Sequence, residues 1–144
     1  MPNLRILCQG NLKESYLREA VGEYSKRLSA YCRLEIKESK SDLPDALFDE
    51  VSSAKGYKIA LCVEGKQLSS PGLAAKLENV FGSGNSDVCF VIGGSDGLSE
   101  RVKAACDLRL SFSEMTFPHQ LMRVILLEQI YRAFTIINHK TYHK

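Results

Sequence analysis

No stretch of this chain stays apolar for more than five residues, the longest runs being Ile59 to Val63 and Val88 to Ile92. A bilayer span needs roughly 20, so no membrane-crossing helix is expected. Near the amino terminus only Ile6, Leu7 and Cys8 stand together before Gln9 and Gly10 interrupt them. That is too little for a secretory signal, and the expected compartment is the cytosol. Cysteine is sparse and badly spaced for cross-linking. Cys8, Cys32, Cys62, Cys89 and Cys106 are an odd number, with no C-x-x-C pair and gaps of at least 17 positions. Neither a disulfide framework nor a zinc cage is indicated, and no metal is expected. Cys8, Cys62 and Cys89 lie in apolar runs and read as small reduced core residues. An excess of one charge is also missing: 19 basic and 17 acidic residues leave +2, so bulk electrostatics do not announce a polyanion binder.

What is present is ordinary globular composition, 44% hydrophobic and 25% charged over 144 residues, enough for a real core in one domain spanning 1–144. Short apolar runs alternate with helical stripes along the whole chain, the mark of an α/β domain with a mostly parallel sheet and helices on both faces. Strands are expected at Leu4 to Cys8, Arg33 to Lys37, Lys58 to Val63, Val88 to Ile92 and Leu108 to Phe112. The third and fourth are continuously apolar, as strands covered on both faces must be, and are expected at the sheet centre.

Leu17, Ala20, Val21, Tyr24 and Leu28 recur at helical spacing, as do Leu43, Leu47, Val51 and Ala54. Ser70 and Pro71 predict the start of a third helix, and Ser99 with Glu100 a short fourth. The last helix, from about Pro118, carries apolar residues from Leu121 to Ile137 on more than one face. One side can pack on the sheet, and the other is most simply covered by a second subunit, which predicts a homodimer.

Three loops leave this sheet with chemistry in them. Gly93-Gly94-Ser95-Asp96-Gly97 follows the fourth strand and precedes a helix, where open α/β sheets bind ligands. Its spacing is not the dinucleotide fingerprint, since Ser95 stands where a second glycine belongs, and no phosphate-binding G-x-x-x-x-G-K-[ST] occurs. The same residues would also serve as a plain tight turn. Glu64-Gly65-Lys66 leaves the third strand, and Ser113 to Pro118 leaves the fifth and runs into His119. His119 and Arg123, four apart, share a helix face and could grip an anion or polarise a carbonyl. Basic residues gather at the end: Arg123 to Lys144 holds four against one acidic, with His139 and His143 added. All three histidines follow Pro118, so a group titrating near neutral pH is available there.

The run Phe90 to Leu98 (FVIGGSDGL), then Leu110 to Val124 (LSFSEMTFPHQLMRV), Glu128 to Phe134 (EQIYRAF) and the terminal Tyr142-His143-Lys144 resembles the SPOUT-class ribosomal RNA large subunit methyltransferase H family. The likeness runs in order through essentially the whole chain, including Leu61 to Lys66. It implies a C-terminal trefoil knot and an S-adenosylmethionine-dependent enzyme, a homodimer that methylates N3 of a pseudouridine in 23S rRNA on the assembled ribosome. Carried over by position, it places cofactor contacts at Leu61, Gly93, Phe112, Ser113, Glu114, Met115, Thr116 and Phe117. His119, Tyr142 and His143 become candidates for orienting the base or taking its proton, and Arg123 for holding charge on a carbonyl or phosphate. Three other readings compete. They are the same chemistry on another RNA, a non-catalytic ribosome-binding module and, for want of the fingerprint, most weakly a nicotinamide oxidoreductase.

Overall fold

The structure is a computed structural model describing residues 1–144. Its elements run β1 (Asn3–Gln9), α1 (Ser15–Leu28), β2 (Arg33–Ser39), α2 (Phe48–Ser53), β3 (Tyr57–Gln67), α3 (Ser70–Gly82), β4 (Asp87–Ile92), α4 (Glu100–Ala104), β5 (Leu108–Ser111) and α5 (His119–Ile137). The strands form one sheet in the order β2-β1-β4-β3-β5, and every pairing is parallel. β4 is therefore central, flanked by β1 and β3. β1 is as interior as β3, although its sequence alternates charge with apolar residues at the start.

Period-two alternation sends successive residues to opposite faces, and here each face has its own core. Leu4, Ile6, Cys8, Ile59, Val88, Phe90, Ile92 and Leu110 point to the side covered by α1, α3 and α5. Leu7, Ala60, Cys89 and Val91 meet Leu47 and Val51 around α2 and Leu98 and Val102 around α4. Helices thus cover both faces, as the continuous apolar run of β4 requires. No helix is long and apolar enough to cross a membrane.

Local expectations failed where tertiary bonds took residues over. The second helix spans only Phe48–Ser53, and Leu43 is exposed. The residues before it are held as a turn: Pro44 O accepts from Ser99 N at 2.7 Å, and Asp45 pairs with Arg101. Beyond Leu61 the β3 run leaves β4, and its register with β5 slips between Leu61 and Lys66. Val63 is accordingly half-exposed and Cys62 only partly buried, so Cys62 is not the core residue expected, whereas Cys32 is buried. Glu64-Gly65-Lys66 is a bulge within β3 rather than a loop leaving it. Gly65 is required there, because a Cβ would sit 2.7 Å from the Arg109 carbonyl. Ser69, not Ser70, caps α3 by accepting from Gly72 N at 3.0 Å, while Ser70 donates to Gln129 Oε1 at 2.6 Å and ties α3 to α5. Ser99 caps α4 as expected, its hydroxyl accepting from Val102 N.

Phe90 is fully buried on the central strand. Phe90→Ala should cost about 3–5 kcal/mol through the cavity it leaves. Chemical denaturation should read this as a lower midpoint at unchanged slope.

Candidate active site at the carboxyl edge of the sheet

All five strands end at one edge, and the segments leaving β3, β4 and β5 meet there around a cleft of about 470 Å³. Leu61 to Glu64 form one wall and Ile92 to Leu98 the floor. Ser111 to Ser113 and Met115 to Met122 close the other side, apart from Gln120 and Leu121. Such a volume suits a small organic ligand, for which pockets of about 300–1,000 Å³ are usual. A separate cavity of about 570 Å³ opens at the opposite, amino end of β1, β2 and β4, lined by Asn3, Arg33 and Asp87 among others. Open parallel sheets bind at the carboxyl edge, and there the segments leaving three strands converge.

The floor is a turn, with Gly97 N donating to Gly94 O at 3.0 Å and Gly97 at φ +77°, a conformation that favours glycine. Gly93 serves the loop itself rather than open space: a Cβ would lie 2.7 Å from the Gly97 carbonyl carbon. Serine hydroxyls shape the wall after β5. Ser111 Oγ donates to Ser113 O at 3.0 Å, and Ser113 Oγ accepts from Met115 N at 3.0 Å. Ionisable side chains at the cleft are Asp96, His119 and an ion pair between Glu64 and Lys103. Lys103 draws the Glu64 carboxyl below its ordinary range.

Of the residues singled out in the sequence, Leu61, Gly93, Phe112, Ser113, Met115, Thr116, Phe117 and His119 come together in this cleft. Glu114 is exposed and does not line it. Arg123 does not reach it either. Its side chain is only 4% exposed, with Nη1 donating to Glu38 Oε2 at 2.5 Å and Nη2 to the carbonyls of Gln9 and Gly10 at 3.0 and 2.7 Å. It ties α5 to the ends of β1 and β2 beneath the cleft. Sharing a helix face with His119 did not bring it to the same place, because a buried guanidinium needs a carboxylate and carbonyls, and Glu38 with the β1 end supplies them.

Tyr142 and His143 lie on the outer surface of α5. Tyr142 donates its hydroxyl to Glu128 Oε2 at 2.6 Å, stacks edge-on to Tyr131 and lies under the Arg132 guanidinium. His143 Nδ1 is 3.1 Å from Arg132 Nη1. Glu128 and Arg132 sit roughly 14 and 20 Å along the helix axis from His119 at about 1.5 Å per residue, so the tail is remote from its own cleft. The helix ends before His139, which adopts φ +56°, so His139 and His143 do not share a helix face. No group of three or more His, Cys, Asp or Glu is placed to hold a metal ion.

Sequence reasoning missed Gln9, Glu38 and Lys103. For Gln9 a signal existed, a lone amide closing the apolar run Ile6-Leu7-Cys8. Lys103 carried none, since its partner Glu64 is distant in sequence.

A fold with this sheet order, glycine floor and post-β5 wall defines a class. The family model described as "Predicted SPOUT methyltransferase" matches residues 2–143, and the chain belongs to that family. Among curated relatives, it is 46% identical over 158 aligned residues to the ribosomal RNA large subunit methyltransferase H of Clostridioides difficile, covering 99% of each. It is 48% identical over 157 to the protein of that name from Ruminiclostridium cellulolyticum, covering 98% of this chain and 99% of the relative. Solved structures share the fold at low identity. One is a methylase family protein from Haemophilus influenzae Rd KW20, with TM-score 0.63, 13% identity and coverage of 99% of this chain and 71% of that one. Another is a methyltransferase from Legionella pneumophila solved with S-adenosylmethionine bound, with TM-score 0.53, 16% identity and coverage of 92% and 66%.

The tail contact gives a pH test. The hydrogen bond to Glu128, followed by burial, pushes the Tyr142 phenol up to about 12 from 10.0. A raised folded value means the contact contributes fully below pH about 10 and is lost as pH rises through about 12. Absorbance titration should find one tyrosine ionising near the upper value, and Glu128→Gln should return it toward 10.

Proposed function

We propose that this chain is an S-adenosylmethionine-dependent methyltransferase of large-subunit ribosomal RNA. It methylates N3 of a pseudouridine in 23S rRNA, working as a homodimer on the assembled ribosome in the cytoplasm. The observation that carries the reading is the convergence of three strand-end segments on one cleft that also holds His119, in a chain that matches methyltransferases of that name from end to end.

The residues present fit the cofactor. Leu61, Phe112 and Phe117 offer apolar walls to a ring, and Gly93 and Gly94 line the floor of the same cleft. Asp96 offsets positive charge. S-adenosylmethionine, when bound, supplies a methyl group already activated on a sulfonium, so the protein needs no covalent intermediate. The protein's residues would hold the uracil edge in line and accept the N3 proton, the N–C bond forming as the sulfur–methyl bond breaks and leaves a neutral thioether. His119, at the cleft wall, is the side chain suited to take that proton.

In this reading Tyr142 and His143, held on the outer face of α5 away from their own cleft, serve the partner's cleft in a dimer. That same face leaves Leu121 exposed and Val124 and Ile125 half-buried, which supports α5 as the two-fold surface. In this reading 1–144 acts as one domain, with the segment from β5 into α5 forming the trefoil knot. Arg123 acts through the loops it fixes.

A net charge of +2 gives weak general attraction to polyanions, so recognition must rest on a shaped surface that the assembled ribosome presents. Labelled methyl transfer to intact large subunits should be efficient, and transfer to protein-free 23S rRNA or to transfer RNA weak. Removing Tyr142 to Lys144 should abolish transfer while cofactor binding survives. Full activity of the truncated protein, or preference for stripped RNA, would contradict the reading. Sedimentation should give about twice the 16.1 kDa chain mass, and a stable monomer at micromolar concentration would remove the dimer.

A further inference from the structure

We propose that Gln9 is a positioning residue for the cofactor cleft, fixing the Gly94 peptide of its floor from inside the protein. The proposal rests on the functional reading above. Gln9 is the last residue of β1, and the β1–β4 pairing ends one step earlier at Cys8 and Ile92. It therefore lies where β4 gives way to the glycine floor. Three buried apolar residues precede it, and an apolar side chain would complete the pattern, yet the glutamine is 0% exposed. A buried amide costs stability unless both ends are bonded, and both are. Oε1 accepts from Gly94 N at 3.0 Å, and Nε2 donates to Pro44 O at 2.8 Å.

These partners bracket the floor. Pro44 O also accepts from Ser99 N at 2.7 Å, so one amide reaches the beginning of the segment directly and its end through Pro44. The backbone carbonyl of Gln9 is in turn gripped by Arg123 at 3.0 Å. On the far side Gly94 abuts the turn after β2, since a Cβ there would lie 2.9 Å from Asp42 O. The Gly94 peptide is thus confined between Asp42 and Gln9. In a trans peptide the N–H and C=O point oppositely. Pinning Gly94 N–H inward therefore turns the Gly93 carbonyl away from Gln9, and Gly93 lines the cleft. Gln9 sets the direction of an acceptor that the cofactor meets without touching the cofactor itself.

Three variants separate positioning from packing. Gln9→Met keeps the volume and loses both polar ends. Gln9→Glu keeps an oxygen for Gly94 N–H but, ionised, cannot donate to Pro44 O. Gln9→Asn keeps the amide but is too short to reach both partners. The readouts are S-adenosylmethionine affinity by calorimetry, amide exchange at Gly94 without cofactor, and melting temperature.

Gln9→Met should weaken binding about ten-fold or more, the order expected for one lost buried hydrogen bond, and expose Gly94 to exchange while Cys89 to Val91 stay protected. Gln9→Glu should bind within about three-fold of the native protein despite a lower melting temperature, a split that a purely structural role would not produce. If Gln9→Met does not fold, Gln9→Asn must show the loss. The inference is overturned if the native protein binds and Gln9→Met, or Gln9→Asn in its place, binds equally well. It is also overturned if affinity falls in step with melting temperature in all variants. Failure of the native protein to bind S-adenosylmethionine would instead sink the functional reading, and Gly94 exchange would still decide the role of Gln9.

Discussion

One buried polar network underlies the carboxyl edge of this sheet. Arg123 enters from α5, takes the Glu38 carboxylate and the carbonyls of Gln9 and Gly10, and leaves Gln9 to reach across to Gly94 and Pro44. A parallel sheet brings its strand ends together at one edge, and the backbone groups there must find partners or stay in water. Here side chains inside the protein satisfy several of them. The loops above are consequently held by their backs, with their other faces free for a ligand. Removing one partner of such a network leaves the others buried and unpaired, so it behaves as a unit.

The rest of the site follows from that constraint. With the floor fixed by Gln9 and by the packing of Gly94 on Asp42, specificity falls to the walls. These come from a bulge in β3 and from a serine-shaped turn after β5, both set by local bonds. α5 contributes to both faces of the problem. Its first turn carries His119 into the cleft, its second carries Arg123 beneath it, and its later turns hold Tyr142 and His143 on the outside through Glu128 and Arg132. The helix links cleft, core and outer surface, which is why its sequence is apolar on more than one face yet interrupted by Arg123, Glu128 and Arg132, each held in an ion pair.

The fold was largely legible. Apolar runs located all five strands, and the alternation of strand and helix gave a parallel sheet with both faces covered, because burial dictates those patterns directly. What escaped depended on contacts far apart in sequence. Leu43 and Leu47 looked helical by spacing, but Pro44 and Asp45 between them are held by the segment around Ser99 and Arg101. Val63 looked buried, but β3 has slipped its register by then. Arg123 read as a cleft residue by its spacing from His119, and only the approach of Glu38, on another strand, shows where its charge is spent. The motif resemblance found most of the cleft lining because those residues are contiguous in the chain. It could not find Gln9, whose partners lie on two other loops.

The central claim is that the cofactor lies at the carboxyl edge, between the ends of β3, β4 and β5. Amide hydrogen exchange of the native protein with and without S-adenosylmethionine tests it most directly. Slowed exchange confined to residues 61–64, 93–98 and 111–119 is the predicted result. Protection instead around Asn3, Arg33 and Asp87, where the larger cavity opens at the amino edge, or no protection at saturating cofactor, would contradict it.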